Sequence, residues 1–191
     1  MSKVVVLGAG QWGTTMAQVL CDAGNHVLMW GRSQELVDEV NNRHTNSKYL
    51  DDNILPVGLK ATTSLSEAFE YSNIYVLAVP AQTLRENLTA WKPMVQPNAL
   101  FISTLKGIEL STMSRMTEII SEVLETQNIA IITGPNLANE LVLRQPAGAV
   151  AAAFLSSSSL RPCLVYFTEI CERRNFGKIS FSNCVNPLPK A

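Results

Sequence analysis

The sequence is poor in the residues that hold metals or staple small folds. Its 191 residues include two histidines and four cysteines, at Cys21, Cys163, Cys171 and Cys184. No two cysteines form a Cys-x-x-Cys pair, which argues against a structural zinc site, and their scatter gives no disulfide framework. Charge is scarce as well. Charged residues make up 16% of the chain and the net charge is −1, so there is no electrostatic footprint for nucleic acid or an anionic membrane surface. No apolar run reaches the ~20 residues of a membrane span. The N-terminal lysine and the short apolar strand after it are too brief for a signal peptide. A cytoplasmic location is therefore expected. No internal repeat is present. What remains is a hydrophobic content of 47%, enough for a globular core, in a length that fits one full domain and the start of another.

The strongest signal is at the start. The run Val4-Val5-Val6-Leu7 ends in Gly8-x-Gly10-x-x-Gly13 and passes directly into the helix-like Thr14-Thr15-Met16-Ala17-Gln18-Val19-Leu20. Strand, tight turn and helix in that order set a dinucleotide diphosphate on a helix N-terminus. Gly8 permits the turn, Gly10 lets the backbone approach the phosphates, and Gly13 lets helix and strand pack closely.

Apolar strands and amphipathic helices alternate beyond this point, which predicts an α/β fold with a doubly wound, mostly parallel, Rossmann-like sheet. Strands are expected at 3–7, 25–30, 61–62, 73–79, 99–103 and 128–132. Helices are expected at 11–23, from a Ser33 cap through Asn42, after a capping-box Ser64, at 83–91 and at 111–125. In the last of these Met113 and Met116 read as core filler. Residues 43–59 read as a long polar loop able to close over a ligand. After about Val150 the pattern lapses. Only a helix at 164–172 and a short strand at 178–181 suggest themselves there. Cys21 falls on the first helix as a small buried hydrophobe.

Four further positions carry chemistry. The second strand ends at Trp30-Gly31-Arg32, and no carboxylate follows until Glu35. An NAD site normally places Asp or Glu here for the ribose hydroxyl, whereas a guanidinium grips a 2′-phosphate, so NADP is favoured over NAD. An exposed loop arginine is the plain alternative. Pro80 closes another strand and would line a nicotinamide pocket or simply end the strand. Lys106 follows a third strand in Ser103-Thr-Leu-Lys106-Gly-Ile-Glu109, where an ammonium can meet an anion or a developing oxyanion; a surface lysine is equally consistent with the spacing. Gly134-Pro-Asn136 follows a fourth, with Asn136 placed to cap the next helix or serve a polar ligand.

Together these pieces resemble the bacterial type of NAD(P)-dependent glycerol-3-phosphate dehydrogenase. The matching text is Gly8-Ala-Gly-Gln-Trp-Gly13-Thr, Trp30-Gly-Arg32, Ala78-Val-Pro80-Ala-Gln82, Lys106-Gly-Ile-Glu109 and Gly134-Pro-Asn-Leu-Ala-Asn-Glu140, in order across residues 1–150. The resemblance implies reversible hydride transfer between NAD(P)H and dihydroxyacetone phosphate, giving sn-glycerol 3-phosphate for phospholipid synthesis. It implies cofactor contacts at Gln11, Trp12, Arg32 and Ala138, beside the glycine turn and Pro80. Lys106 would touch both cofactor and substrate as the candidate catalytic residue. Gly134 and Asn136 would lie at the substrate, although the family more often has Ser or Thr at the latter position.

The family's second lysine, its proton donor, belongs to a Gly-x-x-Lys-Asn segment that opens a helical domain. This sequence does not contain that segment; Lys190 lies at a similar distance, but among prolines. The expectation is a dinucleotide-binding domain over 1–153, a divergent tail over 154–191 that is poorly ordered or frame-altered, and no helical domain. Three readings stay open: the named dehydrogenase, an impaired NAD(P)-binding module, and another dehydrogenase, which the Lys106 and Gly134-Pro135 elements oppose. The expected partner is a small-molecule substrate. An apolar face left uncovered would favour a homo-oligomer.

Overall fold

The computed structural model describes residues 1–145 and 147–154. The helix and strand expected at 164–172 and 178–181, Cys163, Cys171, Cys184, Lys190 and the rest of the tail lie outside the described residues.

The first strand, β1 (Lys3–Leu7), shows why the sheet forms. Its side chains alternate between two cores. Val4 and Val6 pack with Ala17 and Leu20, while Val5 and Leu7 pack with Phe69, Leu84, Leu88 and Ile119. Both faces are covered, so the strand needs no polar residue and reads as an unbroken apolar run. Helix α1 (Gln11–Asp22) returns the chain to β2 (His26–Trp30), which pairs parallel to β1. Helix α2 (Gln34–Arg43) begins at the Ser33 cap, whose hydroxyl accepts the Leu36 N–H. The short α3 (Ser47–Leu50) precedes β3 (Lys60–Thr62), and α4 (Leu65–Tyr71) leads to β4 (Ile74–Leu77). Helix α5 (Leu84–Trp91), β5 (Leu100–Ser103), α6 (Met116–Leu124), β6 (Ile129–Thr133), α7 (Ala138–Val142) and β7 (Val150–Phe154) complete the described fold.

The seven strands lie in the order β3-β2-β1-β4-β5-β6-β7. The first six are parallel and β7 runs antiparallel to β6. The order reverses between β1 and β4. The loops leaving their carboxyl ends diverge there and open a crevice, where ligands of such sheets gather.

Three expectations change. Residues 43–59 are not a free lid: Asn46, Leu50, Leu55 and Leu59 are at most 2% exposed, and the last three join the core beside Val6 and Leu20. The helix expected from Ser111 starts only at Met116. The preceding residues are closed into a turn by Met113 N–H to Glu109 O (2.8 Å) and Glu109 N–H to Ser114 O (2.9 Å). Met113 takes a left-handed φ of 58° there and points to solvent, so Met116 alone of the two fills the core. The capping box at Ser64 is half formed: its hydroxyl accepts the Glu67 N–H, but the Glu67 carboxylate turns to Thr62 Oγ1. Strand β7 was not legible in the alanine-rich text that forms it. Cys21 is half-buried against the core, and burial pushes its thiol pKa up, consistent with a small packed hydrophobe.

Candidate functional site

The site is built at the carboxyl edge of the sheet, beginning with the glycine turn. Gly8 has φ +128°, and a Cβ on it would stand 2.4 Å from the Ala78 carbonyl oxygen that follows β4. A Cβ on Gly13 would stand 2.0 Å from the Gly8 carbonyl oxygen. These two glycines hold strand β1, helix α1 and the β4 loop in contact that no other residue permits. Gly10 is different, because a Cβ there would meet nothing within 4 Å. Gly10 is the N-cap of α1, no side chain caps the helix, and no acidic residue occupies its first turn. Among the described residues no side chain caps the first-turn N–H groups, and the surface beside Gly10 is open, an arrangement that fits the diphosphate of a dinucleotide.

Polar residues inside α1 tie this turn to its surroundings. Thr15 Oγ1 donates to Gln11 O (2.9 Å), and the fully buried Gln18 donates from Nε2 to Val142 O (2.9 Å). Gln11 Nε2 donates to Asn139 Oδ1 (2.9 Å), and Arg144 pairs with Asp22 at 2.8 Å. Gln11, Gln18 and Asp22 lie on one face of α1, so these three links clamp α7 and the turn that follows it. That clamp brings the turn after β6 against the glycine turn after β1.

Lys106 sits between them. Its loop is anchored by Thr104, whose hydroxyl donates to Leu77 O (2.7 Å), and by Glu109. Glu109 is 6% exposed and pairs with Arg85 through Nε (2.9 Å) and Nη2 (3.0 Å). The Arg85 guanidinium beside it, and then Thr112, hold its carboxyl below the usual carboxylate range. Gln82 adds a second brace: its amide donates to Ile108 O (2.9 Å) and accepts the Leu110 N–H (3.1 Å). The Lys106 ammonium then reaches 3.5 Å from the Gly134 carbonyl oxygen and 5.8 Å from the centre of the Trp12 ring. It is exposed on its remaining side.

The turn after β6 is tight. A Cβ on Gly134 would stand 2.6 Å from Gly148 O and 3.0 Å from Asn136 Nδ2. Asn136 does not cap the next helix. Leu137 is the N-cap of α7, and the Asn136 amide turns back on Gly134. Two polar atoms in this cluster, Trp12 Nε1 and Asn136 Oδ1, are buried with no partner among the described residues. A buried polar atom left unpaired is costly, and a ligand seated here would be placed to complete the bonding.

The remaining positions line the same edge. Arg32 is exposed at the end of β2 and makes no ion pair among the described residues. Gly31 before it leaves room for Ala9, whose Cβ would be 2.6 Å from a Gly31 Cβ. Pro80 is exposed and opens a short helical turn, accepting the Thr83 N–H (3.1 Å). Ala138 is the first residue of α7. The structure thus brings Gln11, Trp12, Lys106, Gly134, Asn136 and Ala138 together, with Arg32 and Pro80 on the flanking loops. Gln18 and Asn46 carry no sequence signal that would single them out, because each is recognisable only by what it packs against. Among the described residues no group of three or more His, Cys, Asp or Glu is arranged to hold a metal, and no helix is long and apolar enough to cross a membrane.

Known proteins resemble this chain in sequence and in fold. A family model described as the N-terminus of NAD-dependent glycerol-3-phosphate dehydrogenase matches residues 3–158. A glycerol-3-phosphate dehydrogenase (NAD(P)+) of Corynebacterium urealyticum is 48% identical over 154 residues, covering 80% of this chain and 46% of the relative. The like-named protein of Thermobifida fusca is 46% identical over 164 residues, covering 84% and 49%. The solved glycerol-3-phosphate dehydrogenase of Plasmodium falciparum superposes with a TM-score of 0.82 at 26% identity, over 95% of this chain and 52% of that one. The chain spans about half the length of the curated relatives it matches. By its matched residues and its sheet, this chain belongs to the NAD-dependent glycerol-3-phosphate dehydrogenase family, to whose N-terminal domain it corresponds.

Proposed function

We propose that this chain is the dinucleotide-holding part of a cytoplasmic oxidoreductase that interconverts dihydroxyacetone phosphate and sn-glycerol 3-phosphate. The observation that carries the reading is the meeting of Lys106, Trp12 and Gly134 beside an uncapped helix N-terminus, in a chain of this family. The glycine turn and the first turn of α1 hold the diphosphate. Arg32, exposed and without an ion-pair partner among the described residues, takes the adenosine end, and its guanidinium suits a 2′-phosphate, so NADP is preferred to NAD. Trp12, Pro80 and Ala138 flank the remainder of the dinucleotide, which supplies the hydride when bound.

Lys106 serves both the cofactor and the substrate. Its ammonium, steered by Gly134 O and the Trp12 face, stabilises the negative charge that grows on the ketone oxygen as hydride reaches the carbon. Gly134 and Asn136 close the substrate side, where Asn136 Oδ1, without a partner among the described residues, accepts from a substrate hydroxyl. The oxygen must also gain a proton. The family resemblance assigns that step to a lysine of a Gly-x-x-Lys-Asn segment, which is not found in these 191 residues. Titration with NADPH, followed by loss of NADPH absorbance on adding dihydroxyacetone phosphate, tests the reading. Saturable binding supports it and absence of binding refutes it. Binding with no turnover assigns the chain to nucleotide binding alone.

A further inference from the structure

Asn46 lies outside every motif that points to function, yet it is fully buried directly behind the glycine turn. Its Nδ2 donates to Ala9 O (3.2 Å) and to Thr14 Oγ1 (2.8 Å), and Thr14 Oγ1 in turn approaches Ala9 O at 3.4 Å. Thr14 is fully buried as well. A carbonyl oxygen only accepts, so the amide must present its NH2 end to Ala9. The Asn46 backbone is equally fixed, because its carbonyl accepts the N–H groups of Tyr49 (3.1 Å) and Leu50 (2.9 Å) to start α3, and Leu50 is sealed in the core.

The consequence follows from the planar trans peptide. With the Ala9 C=O drawn inward by two donors, the Gly10 N–H on the same peptide points the opposite way. Gly10 borders the open space described above. Asparagine is not free of cost here. Its Oδ1 is buried without a partner among the described residues, so the side chain is held at the expense of one unmet acceptor. What asparagine adds is the pair of donors.

We infer that Asn46 is a positioning residue. Acting through Thr14 and the Ala9 carbonyl, it aims the Gly10 N–H at the diphosphate of the bound dinucleotide. The inference rests on the dinucleotide reading above and deepens it. It specifies that the affinity depending on Asn46 is affinity for a diphosphate, not for the adenosine end near Arg32.

The test uses the full chain, with ADP-ribose as a diphosphate probe and adenosine 2′-monophosphate as a probe without one, both titrated calorimetrically. Asn46→Ala removes the amide that donates to Ala9 O and Thr14 Oγ1, while Thr14→Val removes the bridging hydroxyl and keeps the shape should the first variant fold poorly. Thermal melts establish which variants are folded. For a folded variant the expected result is an ADP-ribose affinity weakened about tenfold and an adenosine 2′-monophosphate affinity within about twofold of the parent. Equal losses for both probes, or no loss for ADP-ribose, would overturn the role of Asn46. A parent chain that binds no ADP-ribose would overturn the dinucleotide reading itself, and the inference with it.

Discussion

Lys106 and Gly134 meet across two loops: the ammonium stands 3.5 Å from the carbonyl oxygen. Charge-assisted hydrogen bonds ordinarily close to about 2.7–2.9 Å, so this contact steers the lysine without satisfying it. The side chain is left ready to exchange the carbonyl for a stronger acceptor. Lys106→Met keeps the length and removes the charge. It is expected to weaken NADPH binding about tenfold and to suppress any turnover of dihydroxyacetone phosphate. Fluorescence titration provides the check, and an unchanged Kd would remove Lys106 from the cofactor site.

Arg32 offers a cleaner selectivity test, since it has no ion-pair partner among the described residues to confuse the result. Arg32→Ala should cost about tenfold in NADPH affinity and under about twofold in NADH affinity, because only the former carries the 2′-phosphate. Parallel titrations decide the matter. Equal losses would return Arg32 to an ordinary surface role.

The Arg85–Glu109 pair gives a pH dependence. Arg85 lowers the carboxyl pKa of Glu109 and of Glu122 from the ordinary 4.5. A carboxyl with a depressed folded-state pKa adds stability above its unfolded value and loses it as pH falls through the folded one. Melting temperature should therefore drop as pH falls below about 4.5. Glu109→Gln should melt a few degrees lower at pH 7 and show a shallower acid slope. Thermal melts from pH 7 to pH 3 would reveal it, and identical slopes would mean that the pair does not brace the Lys106 loop.

Much of the fold was legible because parallel strands buried on both faces leave unbroken apolar runs, as in Val4–Leu7, and because Ser33 caps its helix through its own side chain. What misled was tertiary. Met113 continues a helical period, but hydrogen bonds to and from the Glu109 backbone close its segment into a turn. Asn46 sits in a polar stretch that reads as loop, and only the fold reveals that it reaches Ala9 from 37 residues away. The site divides in the same way. Gly8, Gly10 and Gly13 announce themselves by spacing, whereas the clamp of Gln11 on Asn139 spans 128 residues and has no local signal.

The glycines themselves separate packing from binding. Gly13→Ala places a Cβ 2.0 Å from Gly8 O, a backbone atom that cannot give way. It should destabilise the fold by at least about 3 kcal/mol, at the upper end of overpacking costs. Chemical denaturation measures this directly, and a near-parental midpoint would mean that helix and strand are not in the contact described.

Gly10→Ala isolates the central claim, that the open side of this turn seats a diphosphate. Its φ of −76° and ψ of −175° suit alanine, and the added methyl meets no protein atom within 4 Å. Calorimetric titration of parent and Gly10→Ala with NADPH is the deciding measurement. The account predicts melting temperatures within a few degrees and an NADPH affinity weakened tenfold or more, roughly the effect of losing a backbone hydrogen bond to a charged oxygen. A Gly10→Ala chain that binds NADPH as tightly as its parent would contradict it.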